Sequence, residues 1–342
     1  CIYQIYGTDI PFLVLDEIQD VDGWYLFVNR LLRTTLHIFV TGSNAKLLSG
    51  ELATHLTGRY NEIHLYPFSF SEYCKYHQVN TTGITTKEES QLKRAFFDYI
   101  NNGGFPEMQG LRNKRGYVQS LIEAILRKDI QKRFGVRNID ALRKLAHHLI
   151  NNTCQEINYD ALSGILGVAD KTVKKYIDYF CDSFLIDSAI RYDIKGKKYI
   201  DTPSKYYFTD LGLRNARLNF RQVEETHAME NIIFNELKVR GYNVDVGVVV
   251  MNETDRSGKK VRKQLEIDFV ASKGSKRYYV QSAFAMPDDN KMQQEQRSLI
   301  NTGDGFKKII VTKDALAPLY NEEGVLVMSV YDFLLDPESL DL

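Results

Sequence analysis

Continuous apolar runs alternate with helical patterns at the start of the chain. FLVLD (12–16) and LHIFV (36–40) have the composition of buried strands. Between them, GWYLFVNRLLRT (23–34) carries apolar side chains at helical spacing. A second helical pattern covers 44–59, and NEIHLYPFSF (61–70) predicts a third strand. Strands and helices in this alternation, with continuously apolar strands, indicate a parallel sheet covered by helices on its faces.

The middle of the chain is predominantly helical. Helical patterns run from 71 to 135, broken by the polar loop at 81–90 and the turn NNGGFPE at 101–107. Residues 139–187 hold three short helical patterns, and two β-like runs follow on either side of the polar stretch KGKKYIDTPS. Helices that lead into a β-hairpin predict a winged helix.

The last third of the chain is a mixed α/β unit. HAMENIIFNELKVRG (227–241) predicts a helix that ends at Gly241. The strands VDVGVVV, QLEIDFVAS (264–272) and RYYVQSAF (277–284) follow, and then a helix and two more apolar runs. From these patterns we predict an α/β multidomain protein.

Composition narrows the possible locations of the protein. The formal net charge is zero, so any nucleic-acid site has to be a local patch. No apolar run reaches the roughly 18 residues that a membrane span needs, and no signal peptide is visible. The four cysteines, Cys1, Cys74, Cys154 and Cys181, form no C-x-x-C pair. We therefore expect reduced thiols in a cytoplasmic protein without a membrane segment.

Two adjacent acids, Asp16 and Glu17, follow the first strand. In an open α/β sheet the carboxyl ends of the strands border the ligand crevice. An aspartate there can hold Mg²⁺, and a following glutamate can orient an attacking water. The alternative is a helix N-terminus, where acidic residues are also favoured.

The order of these stretches resembles a large prokaryotic family of AAA-like P-loop ATP-binding proteins. FLVLDEIQDV looks like its Walker B strand, VTGSNAKLLSG occupies the place of its sensor strand, and LTGR and YPFSFSEY follow. Members carry a C-terminal domain of unknown function with a restriction-endonuclease-like fold. GGFPE, LRKDIQKRFGV and KYYFTDLGLRNA resemble further recurring stretches, so the resemblance covers nearly the whole chain.

The resemblance implies ATP and Mg²⁺ as cofactors and a role for each of five residues. Asp16 would be the Mg²⁺ ligand and Glu17 the acid that positions water. Ser43 or Asn44 would sense the γ-phosphate. Arg59 would be an arginine finger or a sensor, and a surface salt bridge is an equally good interpretation of it.

The phosphate-binding loop of such ATPases is not in this sequence, which has no G-x-x-x-x-G-K-[ST] motif. In the family this loop lies upstream of the Walker B strand, so we expect that the chain, which starts at Cys1, is a fragment. We expect this chain alone to hydrolyse ATP negligibly, since it lacks the backbone N–H groups and the lysine that hold phosphates. A degenerate, non-hydrolysing protein is the alternative.

Lysines accompany the predicted winged helix. GVADKTVKKYIDYF resembles the turn and second helix of a helix-turn-helix, with Lys171, Lys174 and Lys175 away from its apolar face. Lys197 and Lys198 would lie at the tip of the wing and contact DNA phosphates with the others. Residues 136–220 carry 13 Lys and Arg against 10 Asp and Glu, a small excess. A winged helix that serves packing or protein interaction is therefore the alternative.

Acidic residues in the last third suggest a second site. Glu230 lies on the predicted helix and Asp268 on a strand, and Gln281 lies on the next strand, so they can converge on one divalent cation. The arrangement resembles the PD-(D/E)xK nuclease core, with Asp268 as metal ligand, Gln281 in the place of the second acid and Ala283 where a lysine is expected. Glu266 shares a strand face with Asp268 and is an additional candidate ligand. A further acid, Glu295, can approach from the following helix.

We therefore predict four parts: the C-terminal half of an AAA-like ATPase core, a helical lid, a winged helix and a restriction-endonuclease-like domain, over 1–80, 81–135, 136–220 and 221–342. The leading hypothesis is an ATPase whose nucleotide state acts on the downstream domains. The alternatives are a metal-dependent DNA nuclease and a non-catalytic protein-interaction switch. ATP, DNA, a protein partner or a second copy of the chain are the expected partners.

Overall fold

The computed structural model of the chain is a mixed α/β structure. It describes residues 4–5, 7, 10–18, 21–34, 36–43, 56, 58–82, 85–200, 204–217, 224–254, 258, 260–286, 289–313 and 317–342. Within these ranges, no helix has both the length and the apolar character needed to cross a bilayer.

The first strands form the predicted parallel pair. β1 (Phe12–Leu15) lies beside β2 (His37–Val40), with Phe12 opposite His37, and α1 (Trp24–Leu31) connects them. Trp24 and Val28 of α1 are buried against the sheet. The expectation that β1 is buried is wrong, because Phe12 and Val14 are 59% and 63% exposed. In the described residues, only one face of this small sheet is covered.

The third strand predicted over 61–70 is absent: the structure describes all ten residues, none of them is in a strand, and the last, Phe70, begins a helix. This segment forms no strand pairing there, and Ile63 and Leu65 are 79% and 93% exposed. An apolar run needs a neighbouring strand to become part of a sheet, and the described structure supplies none for it. Most of the helix predicted over 44–59 lies outside the described residues.

Helices dominate the middle of the chain, as predicted. In chain order they are α2 (Phe70–Tyr76), α3 (Thr86–Asn102), α4 (Lys114–Ala124), the π-helical turns Ile125–Lys132, α5 (Ile139–Asn151), α6 (Tyr159–Leu166) and α7 (Asp170–Asp182). Capping boxes fix the starts of α2 and α3, where Ser69 and Thr85 each bond the backbone N–H three residues ahead. Short 3₁₀ turns lie at Pro106–Met108 and, at the end of the chain, at Ser339–Asp341.

Two hairpins follow α7. β3 (Ile186–Ala189) pairs antiparallel with β6 (Lys205–Phe208). Between them, β4 (Arg191–Asp193) and β5 (Lys198–Tyr199) form a second hairpin. β4 also pairs in parallel with a strand of the C-terminal sheet, so the second hairpin extends that sheet. The winged-helix interpretation of this region stays a prediction.

The C-terminal third is built on one large mixed sheet. Its remaining strands are β7 (Asn243–Thr254), β8 (Lys260–Lys273), β9 (Lys276–Ala283), β10 (Lys307–Thr312), β11 (Leu319–Tyr320) and β12 (Leu326–Ser329). Across the sheet the order is β11-β12-β10-β9-β8-β7-β4-β5. The accompanying helices are α8 (Leu211–Arg217), α9 (Glu225–Val239), α10 (Asp289–Ile300) and α11 (Val330–Leu335).

The hydrophobic cores cross the predicted part boundaries. Phe70 of α2 and Phe96 of α3 are buried in one cluster with Phe234 of α9 and Phe333 of α11. A second core joins α4 and the π-helical turns to α5, α6 and α7. The four-part division stays a prediction, but packing links the predicted lid directly to the C-terminal sheet.

Candidate functional site

The two acids Asp16 and Glu17 lie just past the carboxyl end of β1, beside the residues that follow β2. The Thr41 hydroxyl donates a hydrogen bond to Asp16 Oδ1 at 2.5 Å. The Glu17 backbone N–H donates to Thr41 Oγ1 at 3.2 Å, and the Ser43 hydroxyl donates to Glu17 Oε2 at 3.3 Å. The residues after the two strands therefore form one connected polar group, which we name the rim cluster: Asp16, Glu17, Thr41 and Ser43.

Backbone geometry produces the rim cluster. The Thr41 N–H donates to the Leu15 carbonyl at 2.9 Å, which continues the parallel pairing by one residue beyond the strands. Glu17 has φ of 48°, a left-handed conformation that turns the chain away from the sheet. Asp16 and Glu17 are both exposed. Carboxylate and hydroxyl oxygens at a solvated edge are the ligands that Mg²⁺ prefers, so the donor chemistry fits this ion.

The two other predicted residues of this region are Asn44 and Arg59. Asn44 lies outside the described residues. Arg59 is exposed, and its guanidinium donates a hydrogen bond to Asn29 Oδ1 at 3.0 Å. Thr41 was missed by sequence reasoning, although its position directly after β2 is a signal that points to the same edge.

The predicted DNA-contacting lysines lie on two different elements. Lys171, Lys174 and Lys175 are exposed on α7, while Val173 and Ile177 of the same helix are fully buried. Lys197 and Lys198 are exposed at the turn of the β4–β5 hairpin. That hairpin belongs to the C-terminal sheet, so the two groups of lysines lie on different parts of the fold, one on a helix and one on this sheet.

The predicted C-terminal acids lie close together. Glu230 comes from α9, and Glu266 and Asp268 come from β8. Gln281 of β9 accepts a hydrogen bond from the Asp268 N–H at 3.4 Å and donates one to Glu295 at 3.4 Å. Glu295 also pairs with Lys291, at 2.6 Å. We name Glu230, Glu266 and Asp268 the acid cluster.

A lysine that sequence reasoning missed lies within the acid cluster. Lys205 Nζ of β6 is 2.7 Å from Glu266 Oε1, 3.2 Å from Glu230 Oε1 and 4.0 Å from Asp268 Oδ1. The only local signal for it is the alternation in KYYF, which places Lys205 and Tyr207 on one face of a strand. Ala283, at the position where the resemblance implies a lysine, is buried among apolar residues.

Further protein donors serve the same carboxylates. The Tyr207 hydroxyl donates to Glu230 Oε1 at 3.0 Å, and the Ser282 N–H donates to Asp268 Oδ2 at 2.8 Å. Arg191 lies 3.5 Å from Glu266 Oε2 and also pairs with Glu156. Each acid of the cluster thus has a donor from the protein.

Electrostatics in the acid cluster are those of a buried ion group. Burial, with a further contribution from Glu230, raises the pKa of Asp268 well above its ordinary value. Burial alone would lower the pKa of Lys205, but the three carboxylates beside it outweigh burial and raise it. Lys205 is therefore charged at every physiological pH.

Divalent-cation binding does not fit the acid cluster as it is arranged. Within the described ranges, no group of three or more His, Cys, Asp and Glu side chains is placed to hold a metal ion. Lysine and arginine nitrogens lie where the ion would have to bind the oxygens. Magnesium at Asp268 stays a prediction.

A buried aspartate connects the helical region to α8. Asp210 accepts hydrogen bonds from the Gly104 N–H at 2.6 Å and the Leu213 N–H at 3.2 Å. Burial raises its pKa to about 6, against the opposing effect of these backbone donors. Gly104 also bonds through its carbonyl to the Phe68 N–H at 2.8 Å. The turn at 103–104 thereby joins the segment that follows the first sheet to the rest of the molecule.

Comparison with known proteins assigns the family. The sequence profile described as "AAA domain" matches residues 2–74, and the profile described as "Domain of unknown function (DUF8612)" matches 93–224. An uncharacterized protein of Haemophilus influenzae is 34% identical over 335 residues, 95% of this chain and 77% of that protein. The chain belongs to the same protein family as this Haemophilus influenzae protein.

A second relative comes from an archaeon. The uncharacterized protein MJ1544 of Methanocaldococcus jannaschii is 31% identical over 330 residues, 94% of this chain and 71% of that protein. The N-terminal match supports an AAA-like P-loop fold for the region that holds the rim cluster. The crystal structure of protein VC1899 from Vibrio cholerae aligns with 97% of the chain and 90% of its own, at 13% identity and a TM-score of 0.25, too low to indicate a shared fold.

Proposed function

We propose that the protein is an ATP-binding AAA-like ATPase whose nucleotide site includes the rim cluster. The observation that carries the proposal is the 2.5 Å hydrogen bond between Thr41 and Asp16, made past the carboxyl ends of two adjacent parallel strands. This edge is where open α/β sheets bind ligands, and the region matches an AAA domain.

The side chains of the rim cluster have separable roles in this proposal. Bound Mg²⁺ would supply positive charge against the phosphates. Thr41 orients the Asp16 carboxylate, which is the oxygen donor suited to the ion. Glu17 is the acid suited to accepting a proton from an attacking water, and Ser43 holds the Glu17 carboxylate through their 3.3 Å hydrogen bond. Ser43 or Asn44 remains the proposed γ-phosphate sensor, and Arg59 remains the proposed arginine finger or sensor.

Nucleotide titration of the gene product that contains this chain, including any residues encoded before Cys1, tests the proposal. A fluorescent ATP analogue with Mg²⁺ is expected to bind, and Asp16→Asn is expected to weaken binding at least tenfold. Asp22→Asn, an exposed aspartate just outside the rim cluster, is the matched control and is expected to bind like wild type. Equal affinity of the Asp16→Asn variant and wild type would show that the rim cluster is not the nucleotide site.

Coupling of nucleotide state to the downstream region is the second element of the proposal. The C-terminal end of the matched AAA region is bonded to α3, because the Tyr99 hydroxyl donates to the Phe68 carbonyl at 2.8 Å. Phe68 is bonded to Gly104, and Gly104 to Asp210. A displacement of the chain at Phe68 therefore acts directly on the turn at 103–104 and on α8.

We also propose that residues 136–220 contain a winged helix whose α7 lysines contact DNA phosphates. The support is the succession of α5, α6 and α7 followed by the β3–β6 hairpin, together with three exposed lysines on one helix. Lys197 and Lys198 supply a second contact in this proposal. A winged helix used for protein interaction would bind no DNA.

A metal-dependent DNA nuclease is the second candidate function, and it would belong to a restriction-endonuclease-like C-terminal domain. Its support is the convergence of Glu230, Glu266 and Asp268 from a helix and a strand, and the Lys205 ammonium that lies among these acids argues against it. Metal-dependent nicking of a plasmid that disappears in Asp268→Ala would favour it. Whichever of these functions the protein has, we propose a cytoplasmic location for it.

A further inference from the structure

We infer that the Lys205 ammonium is the resident cation of the acid cluster and takes the place that a divalent metal ion would occupy. The inference does not depend on nucleotide binding. It concerns Lys205, Glu230, Glu266 and Asp268, which belong to three elements brought together by the fold: β6, α9 and β8.

The position of the ammonium is the first argument. An ammonium group carries three donors and one positive charge, and Lys205 Nζ lies 2.7, 3.2 and 4.0 Å from oxygens of the three acids. A magnesium ion needs oxygens at about 2.0–2.1 Å in near-octahedral arrangement. The ion and the ammonium cannot occupy this point together.

Burial is the second argument. The Lys205 side chain is 9% exposed, and those of Glu230 and Asp268 are 11% and 12% exposed. Acids removed from water to this degree need a compensating cation, since an unpaired buried charge is costly. Lys205 is the cation that faces all three, and Arg191 adds a second positive charge beside Glu266.

Protein donors on two of the acids are the third argument. Tyr207 and Lys205 both donate to Glu230, and the Ser282 N–H donates to Asp268. These donors compete with a metal ion for the carboxylate lone pairs. Lys205 and Tyr207 both belong to β6, which precedes α9 and β8 in the chain. The positive charge beside the acids is therefore supplied by an earlier element of the fold.

Manganese binding to wild type and to Lys205 variants tests the inference. Wild type is expected to bind no Mn²⁺ at the acid cluster, so Asp268→Asn changes neither the bound Mn²⁺ measured by electron paramagnetic resonance nor the melting temperature gained with Mn²⁺. Lys205→Met is expected to bind one additional Mn²⁺ per chain, with at least a tenfold gain in affinity. Adding Asp268→Asn to Lys205→Met is expected to abolish that gain.

Two further variants separate charge from side-chain removal. Lys205→Arg keeps the positive charge and is expected to gain no Mn²⁺. Lys313→Met removes a lysine whose Nζ lies 2.7 Å from Glu225 at a more exposed position, and it is also expected to gain none. Should Lys205→Met unfold without metal, added Mn²⁺ is expected to restore its folded circular-dichroism spectrum.

Either of two results would overturn the inference. One is Mn²⁺ binding by wild type that disappears in Asp268→Asn, since the site would then accept metal with Lys205 present. The other is a Lys205→Met variant that gains no Mn²⁺ when folded, or is not restored by Mn²⁺ when unfolded.

Discussion

Thr41 Oγ1 lies 2.5 Å from Asp16 Oδ1, so the first residues past two adjacent parallel strands are bonded side chain to side chain. Thr41→Val removes this hydrogen bond while preserving the shape of the side chain. We expect Mg²⁺-dependent nucleotide affinity to fall about fivefold, the equivalent of about 1 kcal/mol for one hydrogen bond. Calorimetric titration measures it, with Thr34→Val as the control, because the Thr34 hydroxyl bonds the Leu31 carbonyl. Unchanged affinity in Thr41→Val would mean that Thr41 does not position Asp16 for the ion.

Glu17→Gln is expected to separate binding from hydrolysis. The amide keeps an acceptor for Ser43 but cannot take a proton from water, and loss of such a base typically costs about 10²–10⁴ in rate. We expect ATP hydrolysis by the full gene product to fall by at least about 100-fold with nucleotide affinity within about threefold of wild type. Glu62→Gln, exposed and paired with His64 at 3.2 Å, serves as control. Parallel loss of binding and turnover would assign Glu17 to binding.

Gly104 is required by its contact with Phe68. A Cβ at this position would lie 2.3 Å from the Phe68 carbonyl oxygen, which is backbone and cannot rotate away. We expect Gly104→Ala to lower the free energy of unfolding by about 2–3 kcal/mol, as for overpacked sites. Gly110→Ala is the matched control, since a Cβ there meets no atom within 4 Å. Urea denaturation measures both, and equal stabilities would show that the turn adjusts freely.

Ionisation of the buried Asp210 carboxyl is expected to lower the free energy of unfolding as pH rises. Its pKa is about 6 in the folded protein against an ordinary value of 3.8, so between these values the folded state binds a proton that the unfolded state has lost. The stabilisation from this proton is complete below pH of about 4 and is lost as pH rises through about 6, about 3 kcal/mol in total.

Asp210→Asn removes this titration and is the appropriate comparison. Asparagine has one side-chain oxygen where aspartate has two, so it can no longer accept from both the Gly104 and the Leu213 N–H groups. We therefore expect the variant to have a lower free energy of unfolding than wild type at pH 4, and a smaller deficit at pH 7. Urea denaturation across this pH range reports the difference directly. A wild-type-minus-variant stability that is constant from pH 4 to pH 7 contradicts the assignment to Asp210.

Lysines of α7 are expected to set the salt dependence of any DNA binding. Replacement of Lys171, Lys174 and Lys175 by Ala should reduce the slope of log affinity against log salt by about 2.7, or about 0.9 per lost phosphate contact. Fluorescence anisotropy with duplex DNA measures the slope. The triple Ala variant of Lys87, Lys128 and Lys132, all exposed and of equal charge, is the control. Equal slopes in both variants would show that the salt dependence of DNA binding reflects the net charge of the protein and not contacts made by α7.

Strong periodic patterns allowed much of the fold to be predicted from sequence. The helix with Glu230 and the strands with Asp268 and Gln281 occur as expected, since their apolar periods extend over whole elements. The segment 61–70 was also predicted as a strand from its apolar residues, and it forms no strand in the structure. Sheet formation depends on a partner strand that a local pattern cannot reveal.

Functional residues could be predicted from the sequence only where they come directly after a predicted strand. Asp16 and Glu17 stand immediately after an apolar run, so their position at the sheet edge can be inferred from the local sequence. Lys205 is 25 residues from Glu230 and far from Asp268 along the chain, and only the tertiary fold brings them together. A buried lysine in a strand is a signal that a nearby acid is needed, but the sequence does not say which one.

The pairing of β4 with β7 has a mechanical consequence. Arg191 of β4 is paired with Val246 of β7, so the two strands belong to one continuous sheet. The β4–β5 hairpin therefore cannot move away from the C-terminal third unless the backbone hydrogen bonds between β4 and β7 break. In the coupling that we propose, a displacement that starts in the AAA region would therefore have to bend the chain before Arg191, near Phe68 and Gly104.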